Sequence, residues 1–155
     1  MSVALFAGSF NPFTIGHASV VERALSIFDS IIIAVGKNTE KENCVQRQEN
    51  NESAIRAFCS RFPEGKLQVV TYTNELTVDL AHRLGADCLL RGVRSVKDFE
   101  YEREMADVNR RIGHIDTVIL FALPEHESVS SSIVRELKAY GRDVSEFLPD
   151  YGKEV

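Results

Sequence analysis

Five short, nearly unbroken apolar runs fix what this chain can fold into. They occupy residues 3–7 (VALFA), 31–35 (IIIAV), 67–72 (LQVVTY), 88–90 (CLL) and 117–122 (TVILFA). Most are rich in β-branched residues and lack the alternation of a half-exposed strand, so they read as strands buried on both faces of a parallel sheet. Segments of helical period lie between them. Val20, Val21, Ala24, Leu25 and Phe28 form one stripe on a helix starting near Thr14. Ala54, Ile55, Phe58, Cys59 and Phe62 form a second, and Val78, Leu80, Ala81 and Leu84 a third that stops at Gly85. The expectation is an α/β, Rossmann-like doubly wound domain with five parallel strands, a single domain over residues 1–155.

Such sheets bind ligands beyond the carboxyl ends of their strands. After the first run, residues 8–17 read GSFNPFTIGH. Gly8 permits close backbone approach, Asn11-Pro12 sets a turn, and Thr14 suits an N-cap. Gly16 and His17 then fall in a first helical turn, whose free N–H groups and positive dipole end attract anions. After the fourth run, residues 91–102 read RGVRSVKDFEYE, taken as a loop in which Arg91 and Arg94 flank Gly92. A guanidinium fork matches phosphate oxygens. Pairing with Asp98, Glu100 or Glu102 is the competing structural role, weightier for Arg94 than for Arg91. After the fifth run, residues 128–136 read SVSSSIVRE, where serines entering an amphipathic segment offer a second helix-terminus cradle. Residues 37–52 (KNTEKENCVQRQENNE) are polar and poorly periodic, and read as a mobile loop running into a helix.

Charge narrows the ligands. The net charge of −5 argues against a nucleic-acid binder, which needs an excess of Lys and Arg, yet allows a local cationic pocket for a small phosphorylated ligand. No apolar run approaches the ~20 residues of a spanning helix, so no membrane role is expected. The N-terminus lacks the basic start and long apolar core of a signal peptide. Cys44, Cys59 and Cys88 are odd in number and show no CxxC spacing, which fits free thiols and a cytoplasmic location.

At these residues the chain resembles the nucleotidyltransferase superfamily with an early (H/T)xGH motif and a late ISSS/ISST-type motif. Thr14-Ile15-Gly16-His17 carries the first and Val129-Ser130-Ser131-Ser132 the second. Residues 91–102, together with SSSIVRE (130–136) and DVSEFLP (143–149), are similar to the bacterial phosphopantetheine adenylyltransferase family over essentially the whole chain. That resemblance implies adenylyl transfer from ATP to 4′-phosphopantetheine, giving dephospho-coenzyme A and pyrophosphate, with Mg²⁺ held mainly by ATP phosphates. It implies catalytic roles for His17, Lys41 and Arg91. ATP contacts fall on Ser9, Phe10, His17, Gly92, Val93, Arg94, Glu102, His126, Glu127, Ser128, Val129, Ser130, Ser131 and Ser132. Contacts to the acceptor fall on Ser9, Lys41, Leu76, Thr77 and Arg91. A homohexamer and inhibition by coenzyme A are implied as well.

The chain departs from the family pattern at Asn11 (usually Asp), Ile15 (usually Asn), His126 (often Trp) and around Lys41, where the usual Lys-Pro is missing. Two other readings share the crevice: adenylyl transfer to nicotinamide mononucleotide, and a non-catalytic nucleotide-binding sensor.

Overall fold

Ala4, Leu5, Phe6 and Ala7 are all buried, and so are Ile31, Ile32, Ile33, Ala34 and Val35. Successive strand side chains point to opposite faces, so unbroken burial demands cover on both sides of the sheet. The computed structural model, which describes residues 1–37 and 44–149, supplies that cover. Strands β1 (Val3–Gly8), β2 (Ser30–Gly36), β3 (Leu67–Tyr72), β4 (Cys88–Val93) and β5 (Asp116–Phe121) form one all-parallel sheet in the order β3-β2-β1-β4-β5.

The helices are α1 (Ile15–Ala24), α2 (Cys44–Cys59), α3 (Thr77–Leu84), α4 (Val96–Gly113) and α5 (Ser131–Ala139). The chain winds from β1 outward to β3, then crosses back to β4 and continues to β5. With right-handed crossovers, α1 and α2 cover one face while α3 and α4 cover the other. Two cores follow. Phe6, Phe13, Val21, Ile33, Ile55 and Phe58 fill the first, and Leu5, Ala7, Ile32, Val78, Leu80 and Leu89 the second.

The first and third helices begin and end close to their sequence signals. Thr14 caps α1, and Gly85 ends α3 with φ 72, a left-handed conformation in which glycine escapes the Cβ clash. One segment differs from expectation. Residues 91–102 are not a loop: β4 runs on through Val93 and α4 starts at Val96, capped by the Ser95 hydroxyl accepting from the Asp98 N–H at 3.1 Å. In that segment apolar residues are diluted by charge, and the cap decides where periodicity does not. The polar stretch 37–52 runs into a helix as expected, from Cys44 onward.

The second face tolerates little growth. A Cβ built on Gly113, in the last turn of α4, would meet Val78 Cβ at 2.6 Å. His82 Nε2 of α3 also lies 2.5 Å from the Gly113 carbonyl. Gly113→Ala should therefore cost about 1–3 kcal/mol in urea denaturation, the range for overpacking. Combining it with Val78→Ala should give a smaller total loss than the two single losses added.

Candidate active site

The β1–β4 ladder pairs Ala4 with Cys88 and Leu5 with Leu89, whereas β1–β2 pairing runs on to Gly8 opposite Val35. Beyond Leu5 the two central strands therefore part, at the place where the winding direction reverses. A cavity of about 300 Å³ opens there. Its walls come from the loop after β1, the first turn of α1, the end of β4 and the start of α5. Ser9, Phe10, His17, Arg91, Gly92, Val93, Arg94, His126, Val129, Ser130, Ser131 and Ser132 all line it.

His17 is the third residue of α1 and completes a reciprocal cap. Its N–H donates to the Thr14 hydroxyl at 3.4 Å, and its Nδ1 accepts from the Thr14 N–H at 3.0 Å. A backbone N–H can only donate, so Nδ1 bears the lone pair and the neutral ring carries its proton on Nε2. Phe13 stacks on the imidazole at 5.4 Å, and Phe10 meets it edge-on at 5.0 Å. Burial, then the positive charges of Arg91 and Arg94, press the imidazole pKa from 6.5 down to about 4. In the free protein His17 is thus an uncharged donor at neutral pH.

Arg91 stands in β4 where the strands have parted. Its Nη1 donates to the Ala7 carbonyl at 2.6 Å, while Nε and Nη2 donate to the two Glu102 oxygens at 2.9 and 2.7 Å. Pairing with an acidic residue thus holds for Arg91 as fully as for Arg94, which meets Asp98 at 3.2 Å. The strand–helix geometry that brings α4 back over β4 makes the Arg91 pair, and no local sequence pattern shows it. Burial works against the Arg91 charge, and the Glu102 bonds outweigh it, leaving its pKa raised. Three of five guanidinium N–H groups are engaged, so two remain to meet a ligand. Buried Glu102 faces Arg91 and is absent from the cavity walls among the described residues.

At α5 the Ser130 hydroxyl caps by accepting from the Ile133 N–H at 3.1 Å. Ser131 donates to the Pro12 carbonyl at 2.8 Å, and Arg135 donates to the Asn11 carbonyl at 2.6 Å. The serine hydroxyls are therefore largely spent on structure, and with the Ile133 N–H taken by the cap, the N–H groups of Ser131 and Ser132 are the anion donors of α5. Glu127, Ser128, Leu76 and Thr77 do not border the cavity; Leu76 and Thr77 stand at the start of α3, where Leu76 is exposed. Lys41 lies outside the described residues. Sequence reasoning missed Asn51 of α2, which bonds to the loop after β1. Its signal is a polar residue on the stripe that continues through Ile55, Phe58 and Phe62.

No group of three or more His, Cys, Asp or Glu side chains suited to a metal occurs among the described residues, and no carboxylate lines the cavity there. That donor set fits an ion carried by phosphate oxygens rather than by protein ligands.

The cytidylyltransferase-like family model matches residues 5–137. The chain is similar to a phosphopantetheine adenylyltransferase of Porphyromonas gingivalis, 50% identical over 149 residues, covering 96% of this chain and 95% of that protein. A phosphopantetheine adenylyltransferase of Bacteroides thetaiotaomicron is 47% identical, with 100% and 99% covered. Among solved structures, a putative nicotinate-nucleotide adenylyltransferase from Vibrio parahaemolyticus superposes with a TM-score of 0.64 at 20% identity, covering 96% of this chain and 87% of that one. At that identity the likeness speaks for the fold alone.

The depressed His17 pKa has a signed consequence. Between pH 6.5 and about 4 the unfolded chain protonates this imidazole and the native chain does not, so falling pH favours unfolding. Urea denaturation at pH 7 and pH 5 should show stability lost on acidification, and His17→Gln should lose less over the same interval.

Proposed function

The chain belongs to the phosphopantetheine adenylyltransferase family of cytidylyltransferase-like proteins, and from that premise we propose how its crevice works. It transfers the adenylyl group of ATP to 4′-phosphopantetheine, a step of coenzyme A biosynthesis. A phosphate oxygen of phosphopantetheine attacks the α-phosphorus, and the bond from that phosphorus to the pyrophosphate oxygen breaks. The nucleophile is already an anion, so no base has to take a proton. The difficulty is to hold two anions together and in line, which makes positioning and electrostatics the main contributions.

The observation that carries this reading is the neutral His17, tautomer fixed, beside Arg91 at the parting of β1 and β4. His17 Nε2–H donates to the α-phosphate oxygens as charge grows on them. Being uncharged in the free protein, it needs no counterion that would compete with substrate. Arg91, held by Glu102 and Ala7, turns its remaining N–H groups to the acceptor phosphate. Ser9, Phe10, Gly92, Val93, Arg94, His126 and residues 129–132 take ATP, with the first turn of α5 facing its phosphates. Glu102 acts through Arg91. Lys41, Leu76 and Thr77 serve the acceptor's phosphate and arm. Mg²⁺, held by ATP phosphate oxygens rather than by side chains of the crevice, would supply neutralisation of phosphate charge. Coenzyme A contains the acceptor's phosphate and an adenylyl group, so it competes for the crevice as a feedback ligand.

Free thiols at Cys59 and Cys88 support a cytoplasmic protein. Self-association, as the homohexamer that the family resemblance implies, is supported by the exposed face of α4. Tyr101, Met105, Val108 and Ile112 repeat at helical spacing, each more than a third exposed, beside the stacked pair Phe99 and Phe121. Such a stripe suits burial against another copy. In sedimentation the wild type should run as the assembly, and Met105→Glu as smaller species.

The activity is tested by pyrophosphate release from ATP with phosphopantetheine, and separately with nicotinamide mononucleotide. Release with the first alone is expected; release with the second alone, or ATP binding without release, favours the rival readings. His17→Ala should lower kcat by ~10²–10³, the range for one lost transition-state donor, with a smaller effect on substrate affinity.

A further inference from the structure

Asn51 is a buried amide, 8% exposed, on the face of α2 that packs toward the loop after β1. Its Nδ2 donates to the Ser9 carbonyl at 3.1 Å, and its Oδ1 accepts from the Phe13 N–H at 3.3 Å. The partners fix the amide's orientation, since a carbonyl only accepts and an N–H only donates. One side chain thus grips the loop at two points four residues apart.

The grip has a direction. In a trans peptide the C=O and the following N–H point opposite ways. The Ser9–Phe10 bond is trans, so drawing the Ser9 carbonyl toward α2 turns the Phe10 N–H away from it. Phe10 itself sits at φ 43, a left-handed conformation uncommon for a bulky residue, which an outside contact has to maintain. Ser9 and Phe10 line the crevice, and among the described residues no backbone partner takes the Phe10 N–H. We infer that Asn51 is a positioning residue for the transfer reaction: by holding the Ser9 carbonyl it aims the Phe10 N–H at a phosphate oxygen of ATP. Asn51 touches no substrate. The inference rests on the adenylyl-transfer reading, for which the ligand is ATP.

Calorimetric titration of the full chain with ATP, and separately with phosphopantetheine, tests it on two variants. Asn51→Asp keeps the acceptor for Phe13 and removes the donor to Ser9; Asn51→Leu removes both. ATP should bind Asn51→Asp about tenfold more weakly, the scale of one lost buried hydrogen bond. Phosphopantetheine affinity should stay within about twofold, which general loosening of the fold would not spare. In wild type, the Phe10 amide resonance should move on adding ATP. A folded Asn51→Asp with wild-type ATP affinity overturns the inference. If neither variant folds, the wild type decides: a Phe10 amide unmoved by saturating ATP overturns it, and a moved one upholds it. A wild type that binds ATP through this amide yet releases no pyrophosphate would instead sink the activity.

Discussion

The site depends on the early end of the β1–β4 ladder and on the side chain that spans the gap. Counting on from Leu5 opposite Leu89, Ala7 stands level with Arg91. The strands no longer exchange backbone bonds there, and the Ala7 carbonyl takes Arg91 Nη1 instead. A guanidinium replaces a ladder rung, and the crevice is the space that substitution leaves. Removing either partner of this part-buried pair strands the other charge, at a cost that solvent at Arg91 screens below that of a fully buried pair, so Glu102 is as necessary to the opening as Arg91.

The same economy marks the turn into α1. Thr14 and His17 cap each other, and that cap fixes which imidazole nitrogen bears the proton. Phe10 and Phe13 press on the ring and, with the two nearby guanidiniums, keep it neutral. A charged imidazole would attract phosphate more strongly in the ground state. A neutral, oriented donor is better suited to charge that grows only during transfer. The loop between β1 and α1 is held from two directions, by Asn51 of α2 and by Ser131 and Arg135 of α5. Its donors are therefore set before any ligand arrives, which lowers the entropy cost of binding.

Much of this was legible in the residues. The IIIAV and VALFA runs could only be central parallel strands, and Thr14 and Gly85 marked helix ends by elementary capping chemistry. Gly16, His17, Arg91 and the serines at 130–132 stood out because they follow such strands. Helix α4 did not stand out. Its exposed Tyr101, Met105, Val108 and Ile112 are scattered among charges, and only Glu102 and Gly113 of that helix are buried. Read without the helix, residues 91–102 looked like a phosphate loop, and Asp98, Glu100 and Glu102 stood as equal candidates to pair with the arginines; the turn of α4 over β4 selects Glu102 for Arg91 and Asp98 for Arg94.

The sequence by itself determined the parallel sheet, the approximate ends of every strand but β4 and the chemical types of group waiting there. Those follow from hydrophobic period, caps and turns, which act over a few neighbouring residues. Only the tertiary structure decided that β1 and β4 part after Leu5, that Arg91 spends three of its donors on Glu102 and Ala7, and that Asn51 reaches the loop 38 residues before it. Each is a bond between segments far apart in the chain, and no local pattern fixes the partner of a side chain that must first be carried there by the fold.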